Sequence, residues 1–320
     1  DVAAHRALGR GREAAQGFGE FAVPESVVDE RRQAIRHAAL EGEQLARQRQ
    51  RLERVVRLVQ HARAQLHDGL GLEGRAPKIG MFGGSLFLFP HPVEELASFM
   101  HDHGMYVNYD GAHVAGLIAG GEFQDPLREG ADSMTMSSHK TLWGPQGGII
   151  VSYEKHAEAI KKAIFPGNTS SHHLHHVAGK AIALAESLEF GKAYAKQVIR
   201  NAKALAEALA GYGFGVLGEK RGYTASHQIA VDITKFGDGG TIEKDLEKAG
   251  IILNRQLLPG DIKAGRHYMH PGGVRIGVPE TTRLGMKESE MKEIANFIKR
   301  VRDNARLCAE GYLQMRERLG

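Results

Sequence analysis

Asp110 and Lys140 have the most chemistry to offer in this chain. Each closes a short apolar run, "YVNYD" and "SMTMSSHK", and 30 positions separate them. If the two runs are strands of one sheet, a carboxylate and an amine can face the same crevice. Desolvation and neighbouring cations lower a lysine's pKa until it can attack an aldehyde and form a Schiff base. A carboxylate keeps a pyridine nitrogen protonated, and the ring then acts as an electron sink. These are the two fixed requirements of a pyridoxal 5′-phosphate site. His113, three residues after Asp110, is placed to lean on the ring or its phenolic oxygen, and His139, beside Lys140, to transfer a proton. Taken alone, Lys140 would read as a surface lysine and Asp110-Gly111 as a turn. Facing each other between "SSH" and "TLWGPQGG", they read as a site.

Positioning them requires alternating strands and helices. "KIGMFGG" reads as a buried strand, "VEELASFMHDHG" as a helix closed by Gly104, and "MYVNYD", "ADSMTMSSHK" and "GGIIVSY" as further strands. Such alternation implies βαβ units in a mostly parallel sheet covered by helices, with ligands at the carboxyl ends of strands. Ser85, Asp110 and Lys140 all fall at such ends. A helix over about 173–209, with Ala178, Ile182, Ala185 and Leu188 on one face, bridges to a smaller α+β unit. That unit has strands at "HQIAVDIT", "GIILN" and "GGVRIGV" and helices at "TIEKDLEKAG" and "ESEMKEIANFIKRVRDNARLC". The expected organisation is an Arg-rich helical segment over 1–75, a partial cofactor-binding large domain with the bridging helix over 76–210, and a small C-terminal α+β domain over 211–320.

Composition excludes several classes. The chain has 320 residues, 42% hydrophobic and 25% charged, which suits a folded protein of about two domains. A formal charge of +4 is too small an excess to make nucleic acid the leading partner, although anionic ligands suit it. No run approaches about 18 uninterrupted apolar residues, and "DVAAHRALGRGREAAQ" lacks a signal-peptide core, so neither membrane insertion nor secretion is expected. The single cysteine, Cys308, cannot form an internal disulfide, and a cytoplasmic location follows. Residues 1–75 hold 13 arginines and no lysine. Within them Leu45, Leu52, Val59 and Leu66 recur every seven residues, marking an amphipathic helix. Its charged side carries Arg47, Arg49, Arg51, Arg54 and Arg57, read as a solvated or partner-packed face rather than an anion site. His172, His173, His175 and His176 have no Cys, Asp or Glu at ligand spacing, which favours a structural or phosphate-proximal role over zinc.

Six stretches carry a more specific signal: "GGSLFLFPHP", "DGAHVAGLIAGGEFQDPLREGAD", "SSHKTLWGPQGG", "FPGN", "LLPGD" and "GGVRIGVPETTRLGM". In this order, from Lys78 to about Ile298, they resemble the serine hydroxymethyltransferase family, particularly its archaeal-type members. The resemblance implies an aspartate-aminotransferase-like (fold type I) α/β subunit with a mostly parallel central sheet and a smaller C-terminal α+β domain. It also implies pyridoxal phosphate as cofactor, tetrahydrofolate or another tetrahydropterin as co-substrate, and a homodimer with the pocket near its interface. By position, Lys140 resembles the cofactor lysine, Asp110 the partner of the pyridine nitrogen, and His113 the histidine near the ring oxygen. Ser85 and Ser137 fall where the family has hydroxyls lining the pocket. Arg275 resembles the arginine that grips the amino-acid carboxylate, a task its planar fork suits better than lysine would. Thr169, Ser170 and Ser171 replace the usual Gln-Gly-Gly and offer hydroxyls to the phosphate from across the dimer interface. Trp143 and Gln146 stand where arginines are usual, and Gln256 where bacterial members have a folate-contacting asparagine.

The family's phosphate cup, ring-stacking histidine, catalytic glutamate and tyrosines precede the Lys78 strand and find no match in residues 1–75. The expectation is therefore a fragment or variant, or a pocket completed by another polypeptide. The expected reaction makes or breaks the Cα–Cβ bond of a β-hydroxy amino acid, as in serine/glycine hydroxymethyl transfer. A threonine aldolase or transaldolase on the same scaffold and a catalytically incomplete partner subunit are the alternatives.

Overall fold

Four short runs rich in aromatic, β-branched and methionine side chains form the first sheet: β1 (Ile79–Gly83), β2 (Tyr106–Asp110), β3 (Ser133–Ser137) and β4 (Gly148–Ser152). The structure is a computed structural model and describes residues 77–319, with side chains as far as Asn304. The Arg-rich helix expected around Leu45–Leu66 and the Cys308 side chain lie outside the described residues. Strand order is β1-β2-β3-β4, with β1, β2 and β3 parallel and β4 antiparallel to β3. The change of direction follows from the connections. Parallel neighbours require a crossover, whereas a tight turn joins antiparallel ones. Helix α1 (Val93–Asp102) lies between β1 and β2, burying Val93 and Ala97, and α2 (Ala115–Ala119) follows β2. Between β3 and β4 the chain turns through "GPQGG", where the single hydroxyl hydrogen of buried Ser138 is shared between the carbonyls of Pro145 (2.7 Å) and Gly147 (3.0 Å).

After α3 (Ala157–Lys162) comes α4 (Leu174–Gly211), close to the bounds read from sequence. Its two halves differ. The second half buries Ala195, Val198, Ala202, Leu205 and Leu209. In the first half the expected apolar face points outward, with Ile182 at 65% and Leu188 at 91% exposure. The inward face there is instead one of small residues, Ala183 and Gly191. A Cβ on Gly120, at the end of α2, would lie 2.7 Å from the Gly191 carbonyl and from Ala195 Cβ. Close approach of α2, rather than the larger apolar side chains, sets the rotation of α4.

The second sheet is antiparallel throughout, in the order β5-β6-β8-β7, from β5 (Gly215–Val216), β6 (Gln228–Asp232), β7 (Asn254–Gln256) and β8 (Gly273–Gly277). Helix α5 (Gly239–Lys248) is capped by the Asp238 carboxylate, which accepts from the N–H groups of Gly240 and Thr241. The strand expected from "GIILN" starts only at Asn254. The Ile251 N–H is taken by the Leu246 carbonyl in the stop of α5, so that segment cannot join the ladder. Helices α6 (Pro279–Arg283) and α7 (Glu288–Leu319) close the chain. One apolar core runs from Phe87, Val107, Tyr109 and Leu117 past Leu205 and Leu209 to Ile229, Val231 and Met291, so α4 serves both sheets. The fully buried Asn201 of α4 donates to Thr282 Oγ1 (2.9 Å) and the Met286 carbonyl (2.8 Å), tying α4 to α6 and the start of α7. No described helix is long and apolar enough to cross a membrane.

Candidate active site

The strand register brings the carboxyl ends of β1, β2 and β3 level, with Gly83 opposite Asp110 and Asp110 opposite Thr135. Gly83 has φ +98°, and a Cβ there would sit 2.2 Å from the Asp110 carbonyl, so only glycine lets β1 end against β2. Asp110 Oδ1 accepts from the Ala112 N–H at 3.0 Å. Its Oδ2 makes no hydrogen bond among the described residues.

Lys140 occupies a turn closed by Gly144 N–H to the Ser138 carbonyl (2.7 Å) and Trp143 N–H to the Lys140 carbonyl (3.1 Å). Buried Thr141 clamps this turn to the one after β2. Its hydroxyl donates to the His113 carbonyl (3.0 Å) and accepts from the Gly116 N–H (2.9 Å). The approach is tight enough that a Cβ on Gly116 would lie 2.0 Å from the Thr141 carbonyl. Lysine and histidine thus sit on two turns held as one piece.

From the second sheet, β8 brings Arg275. Its Nη1 donates to the Ser85 carbonyl at 2.6 Å and its Nη2 to Asn254 Oδ1 at 3.1 Å, while burial lowers its pKa. The β6 strand brings Gln228, with His227 just before it. The His227 and His113 rings are parallel within 12° at 5.9 Å. Burial pushes His113 down to about 4, helped by the positive charges of Lys140 and Arg275 and opposed by Asp110. His227 falls to about 3 through burial, then His113, Arg275 and Lys140. Its Nδ1 is buried with no hydrogen-bond partner among the described residues. Asp110, His113, Lys140 and Arg275 therefore share one electrostatic neighbourhood around a pair of neutral rings.

The remaining anticipated residues divide. Ser85 is exposed, and its carbonyl rather than its hydroxyl makes the contacts recorded above. Ser137 ends β3 half-buried, and its hydroxyl has no hydrogen bond among the described residues. His139 is exposed, and its Nδ1 accepts from the Gly147 N–H at 3.3 Å. Thr169 and Ser170 are exposed beyond α3. Thr169 donates to the Ile164 carbonyl at 2.7 Å, and no hydrogen bond joins either residue to Asp110, Lys140 or Arg275 among the described residues. Gln256 turns to the adjacent Leu257 carbonyl at 3.0 Å. Trp143 has its indole N–H on Glu186 (3.2 Å) and Arg283 over its ring at 4.9 Å, and Arg283 also pairs with Glu186 at 2.9 Å. The rings of His173, His175 and His176 lie 4.5–5.5 Å apart, and no described cluster of three or more His, Cys, Asp or Glu is arranged to hold a metal. Sequence reasoning missed Thr141, His227, Gln228 and Asn254. Gln228 did leave a signal, a large polar residue opening the otherwise apolar run "QIAV".

The α/β arrangement, a mostly parallel sheet with a carboxylate and a lysine beyond its strand ends and an arginine from a second sheet, is that of the fold-type-I class to which the matching family belongs. The family model for serine hydroxymethyltransferase matches residues 71–298. Relatives named serine hydroxymethyltransferase include one from Cenarchaeum symbiosum, 70% identical over 71% of this chain and 51% of its own length. Others are from Pyrococcus furiosus, 62% identical over 70% of this chain and 54% of its own, and Korarchaeum cryptofilum, 53% identical over 77% and 58%. This chain belongs to the serine hydroxymethyltransferase family. It spans about half the length of the curated relatives it matches.

Proposed function

We propose that this chain binds pyridoxal 5′-phosphate at Lys140 and Asp110 and takes part in serine/glycine hydroxymethyl transfer, making or breaking the Cα–Cβ bond of a β-hydroxy amino acid. The observation that supports the reading is that Asp110 ends β2, Thr141 ties the Lys140 turn to the His113 turn, and Arg275 of the second sheet is linked through the Ser85 carbonyl and Gln228 to His113. The residues fit the cofactor, because Asp110 keeps one carboxylate oxygen without a partner among the described residues and the lysine stands on a clamped turn. When bound, pyridoxal phosphate supplies an aldehyde and a ring that withdraws electrons from bonds to Cα.

The chain's own groups do the rest. Lys140 offers the amine, and Thr141 fixes the turn that carries it. Asp110, whose Oδ1 is taken by the Ala112 N–H, would hold the ring nitrogen of the cofactor protonated through its other oxygen. Arg275 has five N–H donors. Two are committed to the Ser85 carbonyl and to Asn254, which fixes the guanidinium plane and leaves others for an amino-acid carboxylate. Ser85 and Ser137 line the pocket, His139 moves a proton, and Thr169 and Ser170 serve the phosphate from a neighbouring subunit of a cytoplasmic homodimer. The acceptor of the one-carbon unit would be tetrahydrofolate or a related tetrahydropterin. The names of the relatives favour serine over a threonine-type substrate.

The test is an absorbance titration of the full chain with pyridoxal phosphate. A band near about 420 nm is expected, and Lys140→Ala should lose it while staying folded by circular dichroism. A wild type that stays colourless at saturating cofactor overturns the reading.

A further inference from the structure

His113 has two ring nitrogens, and which one carries the proton decides whether it meets a ligand as donor or acceptor. The fully buried Gln228 answers this through its neighbours. Its Oε1 lies 2.8 Å from the Phe87 N–H, a group that can only donate, so that atom is the amide oxygen. Its Nε2 lies 3.1 Å from the Ser85 carbonyl, which can only accept, and 3.1 Å from His113 Nδ1. An amide NH₂ has two hydrogens and no acceptor capacity. One hydrogen goes to Ser85 and the other to His113, so Nδ1 must be the bare, accepting nitrogen. The same Ser85 carbonyl also takes Arg275 Nη1. One side chain on β6 therefore spans the loop after β1, the turn after β2 and, through Ser85, the arginine of β8.

We infer that Gln228 is a positioning residue that holds His113 as the neutral Nε2–H tautomer, so that this histidine enters the site as a hydrogen-bond donor and not as a base. Protonating Nδ1 would set an N–H against an N–H, so the amide also opposes the imidazolium. The groups around His113 act the same way on balance. Lys140 from the turn after β3 and Arg275 from β8 disfavour a positive ring, the neutral His227 ring packs parallel to it from just before β6, and among the described residues Asp110 at the end of β2 favours charge. The assignment of the tautomer rests on the hydrogen bonds alone. Its use toward a cofactor rests on the function proposed above.

The two are separated by measuring the tautomer without cofactor. In the full chain labelled with ¹⁵N-histidine, long-range ¹H–¹⁵N correlations distinguish a protonated from a bare ring nitrogen, and His113→Asn identifies the His113 signals by their disappearance. The wild type at pH 7.5 is expected to show Nε2 protonated and Nδ1 bare. Gln228→Glu replaces the NH₂ with an acceptor and should move the proton to Nδ1 and raise the His113 midpoint by about one pH unit or more. Gln228→Met removes the donor without adding an acceptor and should give mixed tautomers. A wild type with Nδ1 protonated overturns the inference whether or not the variants fold. So do folded Glu and Met variants that keep the wild-type tautomer and midpoint. Absence of the absorbance band, with the tautomer as expected, would remove the cofactor reading and leave the role of Gln228 standing.

Discussion

Asp110 and Asp132 sit at opposite ends of the same parallel pair, β2 and β3. Asp132 just precedes β3, with its side chain 10% exposed, and it is saturated. Its Oδ2 accepts from the Val107 N–H and His101 Nε2, both at 2.8 Å, and Oδ1 faces His156 at 3.4 Å and Lys155 at 3.7 Å. Burial alone would raise its pKa, but the Val107 N–H and the His101 and His156 contacts outweigh that and lower it. Asp110 keeps a single backbone bond. A carboxylate whose oxygens are all engaged locks β2 to β3 and the chain after β4, whereas one with an idle oxygen contributes little there and remains free to hold a ligand. The proposed chemistry sits at the end left incomplete.

Exchanging each carboxylate for its amide should divide the two roles. Asp110→Asn should weaken pyridoxal phosphate binding about 10–100-fold, the worth of one charge-assisted hydrogen bond, and leave the unfolding midpoint nearly unchanged. Asp132→Asn should do the reverse, leaving affinity alone and lowering stability by about 1–3 kcal/mol as its histidine and Val107 contacts weaken. Absorbance titration and urea unfolding check both. Equal effects of the two variants on affinity would erase the distinction between the ends of the sheet.

The clamp between the two site turns gives a sharper case, because it belongs to both roles. Gly116→Ala drives a methyl into the Thr141 carbonyl and should cost about 1–3 kcal/mol as the turns separate. Thr141→Val keeps the shape, loses the bonds to His113 and Gly116, and should cost about 1–2 kcal/mol. Both should also weaken cofactor binding, unlike Asp132→Asn. A stability loss with unchanged affinity would mean that the clamp does not position Lys140.

Much of this was legible in the sequence, for a definite reason. Asp110 ends β2 and Lys140 stands on the turn three residues beyond the end of β3, and in a parallel sheet the ends of the strands are the mouth of the crevice. The same local logic found β6, β8 and α4 close to their observed bounds. It failed where partners are distant or where close approach overrides pattern. Gln228 acts on His113 from 115 positions away, and Thr141 on Gly116 from 25. Neither pairing leaves a mark on local periodicity. On α4 the stripe Ala178, Ile182, Ala185 and Leu188 has helical spacing, yet Gly120 against Gly191 turns the helix so that the stripe faces out. Ile251 reads as strand, but its N–H is spent on stopping α5.

The smallest expected effect tests whether the site end weakens the fold in acid as the saturated end does. The signs have different origins. Asp132 has a lowered pKa, so its stabilisation is complete above the ordinary carboxylate range and is lost as pH falls through its depressed value. His227 is also lowered, to about 3, but as a buried neutral base. Below about pH 6.5 the unfolded chain takes up a proton that the folded chain refuses, so stability falls steadily until the folded value is reached. From pH 8 to pH 5.5 this amounts to about 1.4 kcal/mol for one histidine. His227→Phe should flatten the wild-type decline by that amount in urea unfolding measured at the two pH values. Asp132→Asn should leave the decline intact over this range, because Asp132 titrates at lower pH. If His227→Phe declines as steeply as the wild type, the buried ring takes up its proton while folded, and His227 does not carry the acid sensitivity assigned to it.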